Sequence, residues 1–596
     1  MLSADSIGAV RGVACGYFFS RMIVHFIRAA LGCVLTWGLV SPVAAANGGD
    51  HFVVVERADV LDSAGAVTGR LSRGTVIRAE RDDMGMLSMY FPLAGRIGEQ
   101  MAIPVTEAEA YFVDVVERDP ADAAAQFALG QIHELADKIN LALEDYTRAI
   151  AIDGDIVPLR CRRGKLLIAR KQFGLAQRDF QAALRIDPKS IEALLGRGQA
   201  RLRGGSEELA ADDFKDVLKI DPVNAAAIAG LGGVLAEQKK YDKALVQLDR
   251  ALAIDPRLID AHNERARVLL RQEKPAEAVA AYSKALGIEP RNIDALSGRG
   301  AAWQAQYEVD KAIADYDAAI AIDPSSLAAR SGRGLVRASQ GQFDKAMVDF
   351  NAIVEMLPRF VGGYLLRAEA LFLQSKYEAC IADCDRALML DEKSTKAMSR
   401  RARARVRLGQ TEQALEEADE IIRMEPAATV GYLTRGEIAK EAKQYDRALA
   451  DFSKIIELDP KSALGFAGRA GVYDLQHDYK AAVVDYEEAL KREPGHELSL
   501  NNLAWVLATC PQDKVRNGKR AVELAKLTAE KSRYRDASVL DTLAAAEAEN
   551  GDFDAAVRWQ SKVVELAVND KSRPEMEARL KLYQSKKAYR EERKAD

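Results

Sequence analysis

Histidine and cysteine, the side chains that most often ligate metals or act as nucleophiles, are sparse in this sequence. The histidines beyond the first 46 residues are isolated from one another: His51, His133, His262, His477 and His496. Cys380 and Cys384 lie four residues apart, which would place both thiols on one helix face as half of a zinc site. No HExxH pair, phosphate-binding Gly-Lys-Ser/Thr loop or G-x-S-x-G turn is present. We therefore predict no catalytic residue, no cofactor and no metal, and a protein that is not an enzyme.

The densest charge in the sequence is a run of arginines near residue 400. It comprises Arg400, Arg401, Arg403, Arg405 and Arg407. Such a run either contacts an acidic partner or forms a solvated face whose charge is offset by nearby acids. The whole chain is balanced, with 84 basic and 89 acidic residues and a net charge of −5. This balance provides no general field for nucleic acid or anionic lipid, so nucleic acid is not expected as a partner.

These residues belong to a repeating unit. A residue that is usually acidic and usually precedes proline recurs with a constant 34-residue period: Asp119, Asp153, Asp187, Asp221, Asp255, Glu289, Asp323, Leu357, Asp391, Glu425, Asp459 and Glu493. A fixed period of this size indicates a solenoid of stacked helical units. Eleven consecutive units without an insertion occupy residues 123–496.

Three positions of the unit carry a restricted set of side chains. Counting from residue 123, position 8 is Gly or Ala, position 20 is Ala in ten units and Cys380 in the other, and position 24 is usually aromatic. Small residues let two helices approach, so a larger side chain there would overpack at a cost of roughly 1–3 kcal/mol. The aromatic ring would fill the space that they leave. Because Cys380 and Cys384 occupy positions 20 and 24, we favour buried core thiols over a metal site.

With proline at position 32, this pattern resembles the tetratricopeptide repeat, and the resemblance covers nearly two-thirds of the chain. It implies a mostly α fold in which antiparallel helix pairs stack into a right-handed α-solenoid. The first helix of each pair would line a concave groove through positions 2, 5, 9, 12 and 13. Peptide-clamping members hold a partner's C-terminal carboxylate with Asn and Lys at fixed groove positions. That clamp is absent here, so recognition of chaperone tails is not expected.

Arginine stands at position 7 in nine units, where family members often carry leucine. These residues are Arg163, Arg197, Arg265, Arg299, Arg333, Arg367, Arg401, Arg435 and Arg469. Position 23 is mostly acidic. The two positions predict a ladder of ion pairs between neighbouring helices, because structural charge pairs are common in repeats. The alternative is a basic stripe for an anionic polymer, which the equal number of nearby carboxylates disfavours.

Six basic residues are candidates for contacting a partner: Arg267, Arg271, Lys396, Arg400, Arg403 and Arg407. If the family geometry holds, all but Arg400 occupy groove positions 2, 9 or 13 of their units. We hypothesise that they bind an acidic segment of a protein partner. The alternative is a basic face neutralised by its own acidic neighbours. Charge reversal at Arg403 and Arg407 separates the two.

Residues 1–46 predict an export signal. Arg21 and Arg28 precede an apolar run from Ala29 to Val40, and Ala44-Ala45-Ala46 provides a cleavage pattern. We expect export across a bacterial inner membrane to the periplasm or the rest of the cell envelope. An uncleaved membrane anchor is the alternative, since the apolar stretch is long enough to span.

The remaining segments flank the eleven units. Residues 50–104 contain short β-prone runs between Gly- and Asp-rich turns and resemble a bacterial SH3-like β-barrel. Residues 105–121 have the pattern of a lone second helix, a half repeat that caps the array. Residues 497–570 are expected to form two divergent units, the first with extra residues between Thr509 and Gly518. The charged tail, 571–596, is expected to begin with a short helix and then fray.

These features favour a non-enzymatic scaffold of the bacterial cell envelope that holds a protein or peptide segment in its groove. A cell-wall or polysaccharide binder acting through the SH3-like domain is one alternative. A subunit of an envelope enzyme complex is another, disfavoured because clustered His, Cys or carboxylate motifs are missing.

Overall fold

The computed structural model describes residues 105–532, 534–567 and 572–591, together with seven strands between residues 50 and 104. The export signal predicted for residues 1–46 lies outside the described residues. Two compact units are distinguished. Of the described residues, those within 50–306 and 321–324 belong to the first unit, and those within 307–320 and 325–591 belong to the second. No helix of the described chain is both long and apolar enough to cross a membrane.

The first unit begins with an antiparallel sheet. Its strands are β1 (Asp50–Val53), β2 (Arg57–Leu61), β3 (Val67–Ser72), β4 (Val76–Arg81), β5 (Met86–Phe91), β6 (Gly95–Gly98) and β7 (Ala102–Pro104). They are ordered β3-β2-β6-β5-β4-β1-β7. β7 runs directly into the first helix. The assignment of this segment as an SH3-like barrel stays a prediction.

Helices account for the rest of the first unit. They are α1 (Val105–Arg118), α2 (Ala123–Leu135), α3 (Ile139–Ile152), α4 (Val157–Ala169), α5 (Phe173–Ile186), α6 (Ile191–Arg203), α7 (Glu207–Ile220), α8 (Ala225–Glu237), α9 (Tyr241–Ile254), α10 (Ile259–Arg271), α11 (Pro275–Ile288) and α12 (Ile293–Ala305).

The second unit continues the series, except that the last two residues of its first helix belong to the first unit. Its helices are α13 (Val309–Ile322), α14 (Leu327–Ser339), α15 (Phe343–Met356), α16 (Val361–Leu373), α17 (Tyr377–Leu390), α18 (Thr395–Arg407), α19 (Thr411–Met424), α20 (Thr429–Glu441), α21 (Tyr445–Leu458), α22 (Ala463–Leu475), α23 (Tyr479–Arg492), α24 (Glu497–Thr509), α25 (Gly518–Lys531), α26 (Ala537–Glu549), α27 (Phe553–Leu566) and α28 (Arg573–Gln584).

From α2 to α23, helices of 13 and 14 residues alternate, beginning with α2 and α3. Each kind recurs with the same 34-residue period as the sequence. The fold is therefore mostly helical and of the repeat-solenoid type that the sequence period predicts. Several first helices begin at a capping side chain, because an oxygen there satisfies an otherwise unpaired N–H of the first turn. Asn224, for example, accepts a hydrogen bond of 3.0 Å from the N–H of Ala227.

The turn inside each helix pair places position 15 in the left-handed region of backbone conformation. The residues concerned are Asp137, Lys171, Gly205, Lys239, Glu273, Tyr307, Gly341, Ser375, Gly409, Lys443 and His477. The following N–H then bonds back to the carbonyl five residues earlier, as from Lys138 to His133 at 2.8 Å. This closure ends the first helix and reverses the chain within a short turn.

Aromatic rings at position 24 form the core between repeats. Phe180 is fully buried and lies between Gly164 of its own repeat and Gly196 of the next. A Cβ added to Gly164 would stand 2.7 Å from Cζ of the ring. Phe214 lies in the same way between Gly198 and Gly230. The interpretation of the small positions as sites of close approach is therefore confirmed.

Candidate functional site

The arginines at position 7 are held by ion pairs inside the helix stack. Arg163 donates to Asp179 through Nε at 2.8 Å and through Nη2 at 2.6 Å. The same pairing joins Arg197 to Asp213, Arg333 to Asp349, Arg367 to Asp383, Arg401 to Glu417, Arg435 to Asp451 and Arg469 to Asp485. The ladder predicted from positions 7 and 23 is confirmed. These guanidiniums are thus engaged with carboxylates of the same unit.

Several of these arginines also contact the preceding repeat. Arg367 donates through Nη1 to Oδ1 of Asn351 at 3.0 Å, and Arg435 donates to Oδ1 of Asp419 at 2.5 Å. The acceptor stands at position 25 in both cases. Because one planar guanidinium satisfies acceptors on two helices, it fixes the spacing between successive pairs as well as within them.

Position 11 supplies a second donor to the same acidic position. Arg201, Arg337 and Arg405 donate to the position-23 carboxylates of their units at 2.8, 3.0 and 2.9 Å. In the first repeat His133 takes this place, with Nδ1 2.5 Å from Oδ2 of Asp145. Burial raises the pKa of Asp145. This histidine–carboxylate contact therefore repeats a structural element of the array and is not by itself a catalytic pair.

The cysteines behave as core residues. Cys380 and Cys384 are both fully buried, as the core interpretation predicts. The hydrogen bond with Cys380 and burial together raise the pKa of the Cys384 thiol. Burial raises the pKa of Cys161 to about 12. Among the described residues no group of three or more His, Cys, Asp or Glu side chains is arranged to hold a metal ion.

Four of the six candidate basic residues lie on α18. Lys396 is exposed, and Arg400 is buried against Glu369 of α16. Burial lowers the pKa of Arg400. The Arg403 guanidinium lies 5.1 Å from the ring centroid of Phe372 on α16. Arg407 pairs with Glu441 of α20, with Nη1 3.4 Å from Oε1.

The other two candidates lie on α10, in the first unit. Arg267 pairs with Glu264 one turn earlier, and burial lowers its pKa. Arg271 donates through Nη2 to Oε1 of Glu237 at 2.8 Å. The structure thus brings together the four residues on α18 and, separately, the two on α10.

Sequence reasoning missed the carboxylates that accompany these cations. Glu237 and Glu441 occupy position 13 of their repeats, and Glu369 occupies position 9. Glu237 and Glu441 share position 13 with Arg271 and Arg407, one repeat away, and comparing that position between neighbouring repeats would have identified both. Glu369 pairs instead with Arg400, which stands at position 6 of its repeat.

Comparison with known proteins agrees with the repeat pattern. A tetratricopeptide repeat model matches residues 105–155, 161–225, 263–327, 301–359 and 399–463. A second model, described as a TPR repeat, matches residues 232–273. Together they cover slightly more than half of the 596 residues. No curated protein matches the chain in a sequence search.

Three solved structures illustrate the fold likeness. A tetratricopeptide repeat protein from Parabacteroides merdae is 22% identical, with 40% of this chain and 94% of that chain covered and a TM-score of 0.33. The Cut9–Hcn1 hetero-tetramer of APC/C is 13% identical, with 80% and 98% covered and a TM-score of 0.33. Naa15/Naa10 bound to HypK-THB is 13% identical, with 81% and 89% covered and a TM-score of 0.32. Scores of this size carry no argument about function.

The 34-residue helix pairs, the small and aromatic core positions and the two family models agree on one classification. The chain belongs to the tetratricopeptide repeat family.

Proposed function

We propose that this protein is a non-enzymatic interaction scaffold of the bacterial cell envelope, and that its groove binds an acidic segment of a protein partner. The repeat family supports the general role, since such repeats are interaction scaffolds. The finer proposal depends on one observation, the placement of Arg403 and Arg407 on one face of α18. Their four-residue spacing stacks the two side chains along that face.

The two arginines differ in how they are held. The Arg403 guanidinium lies over the Phe372 ring, 5.1 Å from its centroid, which is within the range of a cation–π contact. Arg407 and Glu441 form a part-exposed pair, with side chains 27% and 30% accessible. A partner carboxylate can therefore reach Arg407 without the large desolvation cost of a buried ion.

Charge at such a surface contributes modestly to binding. An exposed ion pair is worth about 0–1 kcal/mol, so one partner acid would not suffice. An acidic segment that follows α18 from Lys396 to Arg407 makes several such contacts in register. Complementary charge of this kind adds specificity and association rate more than affinity.

Charge reversal in the full-length chain tests the proposal. We expect Arg403→Glu together with Arg407→Glu to remove the acidic partner recovered by crosslinking in intact cells. Arg386→Glu with Arg423→Glu is the matched control, because both residues are exposed on second helices. Loss of the partner in both double variants, or in neither, would refute the assignment of this face.

The envelope location is tested separately. We expect the mature protein to fractionate with the periplasm and its sequenced N-terminus to begin at Asn47. A chain that stays in the cytoplasm with its first 46 residues attached would overturn this part of the proposal.

A further inference from the structure

The chain's own C-terminal segment lies on the first helices of the last repeats. After α28 the backbone turns at Lys586, whose φ is +54°. Two bonds close this turn, from the N–H of Lys586 to the carbonyl of Tyr583 at 2.9 Å and from the N–H of Lys587 to that of Leu582 at 3.0 Å. Residues up to Glu591 then return towards α24. The expectation that the tail frays directly after its helix is wrong for this stretch.

Arg590 binds at the carboxyl ends of two first helices. Its Nη2 lies 2.5 Å from Oε2 of Glu549, the last residue of α26. Its Nη1 donates to the carbonyl of Ala508, near the end of α24, at 3.4 Å. A guanidinium at this end of a helix is favoured, because unpaired carbonyls give it a partial negative charge.

Three hydrogen bonds hold Glu591, one through its backbone N–H and two through its carboxylate. Its N–H bonds to the carbonyl of Thr509 at 3.0 Å. Its Oε1 accepts from Nε1 of Trp505 at 2.7 Å, and its Oε2 accepts from the hydroxyl of Tyr479 at 3.3 Å. Nδ1 of His477 lies 3.0 Å from the same hydroxyl. The carboxylate thus sits in a small cradle of aromatic donors.

Tyr589 completes the contact through stacking. Its ring centroid lies 5.9 Å from that of Trp505. The guanidinium of Arg579 lies 5.5 Å from the Tyr589 ring and 5.7 Å from the Trp505 ring. Arg579 is fixed by Asp541 through bonds of 3.0 and 2.7 Å. An aromatic side chain therefore has a rigid receiving surface here.

This receiving surface uses the groove positions of the repeat. Trp505 stands at position 9 of its repeat, and Thr509 and Glu549 stand at position 13 of theirs. The loop between α24 and α25 supports it, because Arg516 donates to the other oxygen of Glu549 at 2.9 Å and to the carbonyl of Cys510 at 2.8 Å. The extra residues that interrupt the 34-residue period thus preorganise one wall of the site.

A second carboxylate, that of Asp474, makes the docking of Glu591 sensitive to pH. Asp474 of α22 lies near Glu591, and burial together with that negative charge raises its pKa to about 8. Burial, and to a smaller extent the negative charges of Asp474 and Glu591, raise the pKa of Tyr479, Tyr486 and Cys510. Ionisation of Asp474 would therefore oppose retention of Glu591.

We infer that the end of the array, from α22 to α28, forms a peptide-binding groove occupied in this chain by its own segment Ala588–Glu591. A protein partner enters this groove by presenting an aromatic residue, an arginine and a carboxylate in that order. The claim that a protein partner binds this groove rests on the proposed scaffold function. The occupancy by the tail rests on the contacts alone. The tail acts as a built-in competitor that must leave before the partner binds.

The competitor is effective because it is tethered. A short linker gives a local concentration on the order of millimolar, well above that of most free partners. The apparent dissociation constant of a free segment equals its intrinsic constant divided by the fraction of grooves that the tail leaves open. Releasing the tail should therefore strengthen binding of a free copy of the same segment by about tenfold or more.

A labelled peptide with the sequence of residues 585–591, titrated into the full-length chain by fluorescence anisotropy, tests this inference. We expect Tyr589→Ala with Arg590→Ala to bind the peptide at least about tenfold more tightly than wild type. Lys587→Ala is the matched control, because this residue is exposed in the same segment, and it should behave as wild type. A peptide with the same composition in scrambled order should bind no variant.

A groove variant completes the design. Adding Glu549→Lys to the double tail variant should abolish peptide binding, because it reverses the charge that Arg590 meets. If the double tail variant does not fold, as judged by circular dichroism, Glu591→Ala takes its place. Equal peptide affinity of wild type and tail variant would overturn the inference. This outcome is independent of the Arg403 and Arg407 crosslinking experiment, so failure of one proposal does not imply failure of the other.

Discussion

Substitution of Asp349 provides the sharpest test of the ion-pair ladder. This carboxylate is fully buried, and three arginines surround it. Arg333 reaches it at 2.5 Å, Arg337 at 3.0 Å and Arg330 at 3.5 Å. Asp349→Ala would leave these guanidiniums without their common acceptor. Removing one member of a buried ion pair typically costs about 3–5 kcal/mol, and we expect a loss of free energy of unfolding in that range.

Asp317 is the matched control, because it binds the same arginine from an exposed position. Its side chain is 49% accessible, and its Oδ1 lies 2.5 Å from Nη1 of Arg333. Asp317→Ala should therefore cost only about 0–1 kcal/mol. Native-state hydrogen exchange of α14 and α15 is the suitable assay, because it measures opening locally in an array that does not unfold in one step. Equal loss of protection in the two variants would refute the idea that buried acids organise the repeats.

Two further predictions concern the core and the tail. Gly164→Ala should lower the free energy of local opening by roughly 1–3 kcal/mol, measured by native-state hydrogen exchange of α4 and α5, because the added Cβ meets Phe180. Gly174→Ala, where a Cβ meets nothing within 4 Å, should cost much less. Docking of the tail should weaken as the pH rises towards 8 and level off above it. Burial and the negative charge of the docked Glu591 together raise the pKa of Asp474 to about 8, so the docked state favours the protonated form of Asp474. The indole N–H resonance of Trp505, which donates to Glu591, should report this change, and Asp474→Asn should make it flat with pH. A wild-type resonance that does not move between pH 6 and 9 would contradict the coupling.

The features that sequence revealed are those repeated in every unit. Gly164 and Phe180 could be predicted because equivalent residues recur at the same spacing, and so could the pairing of Arg163 with Asp179. Local repetition determines these contacts, since each repeat meets its neighbours in the same way. Each repeat therefore provides a further instance of the same core and ion-pair positions, and their recurrence makes these contacts predictable.

The features that sequence did not reveal occur once or depend on the third dimension. Arg590 meets Glu549 across a long stretch of intervening chain, and no periodicity predicts that contact. The pairing of Arg400 with Glu369 depends on how far successive first helices are offset. Sequence therefore identifies the candidate basic residues on α10 and α18 but not the acids beside them or the returning tail, and their role in binding a partner stays a prediction.

The turns within the helix pairs are places where substitution could raise the stability of the array. In eight of the eleven repeats a side chain, not glycine, occupies the left-handed position. Each such residue bears a backbone cost of about 1–2 kcal/mol, and glycine would relieve it at an entropic cost of about 0.5–1 kcal/mol. Because neighbouring repeats contribute almost additively, small gains would accumulate along the array. Glycine substitutions in these turns could thus stabilise the solenoid without changing the residues of the groove surface.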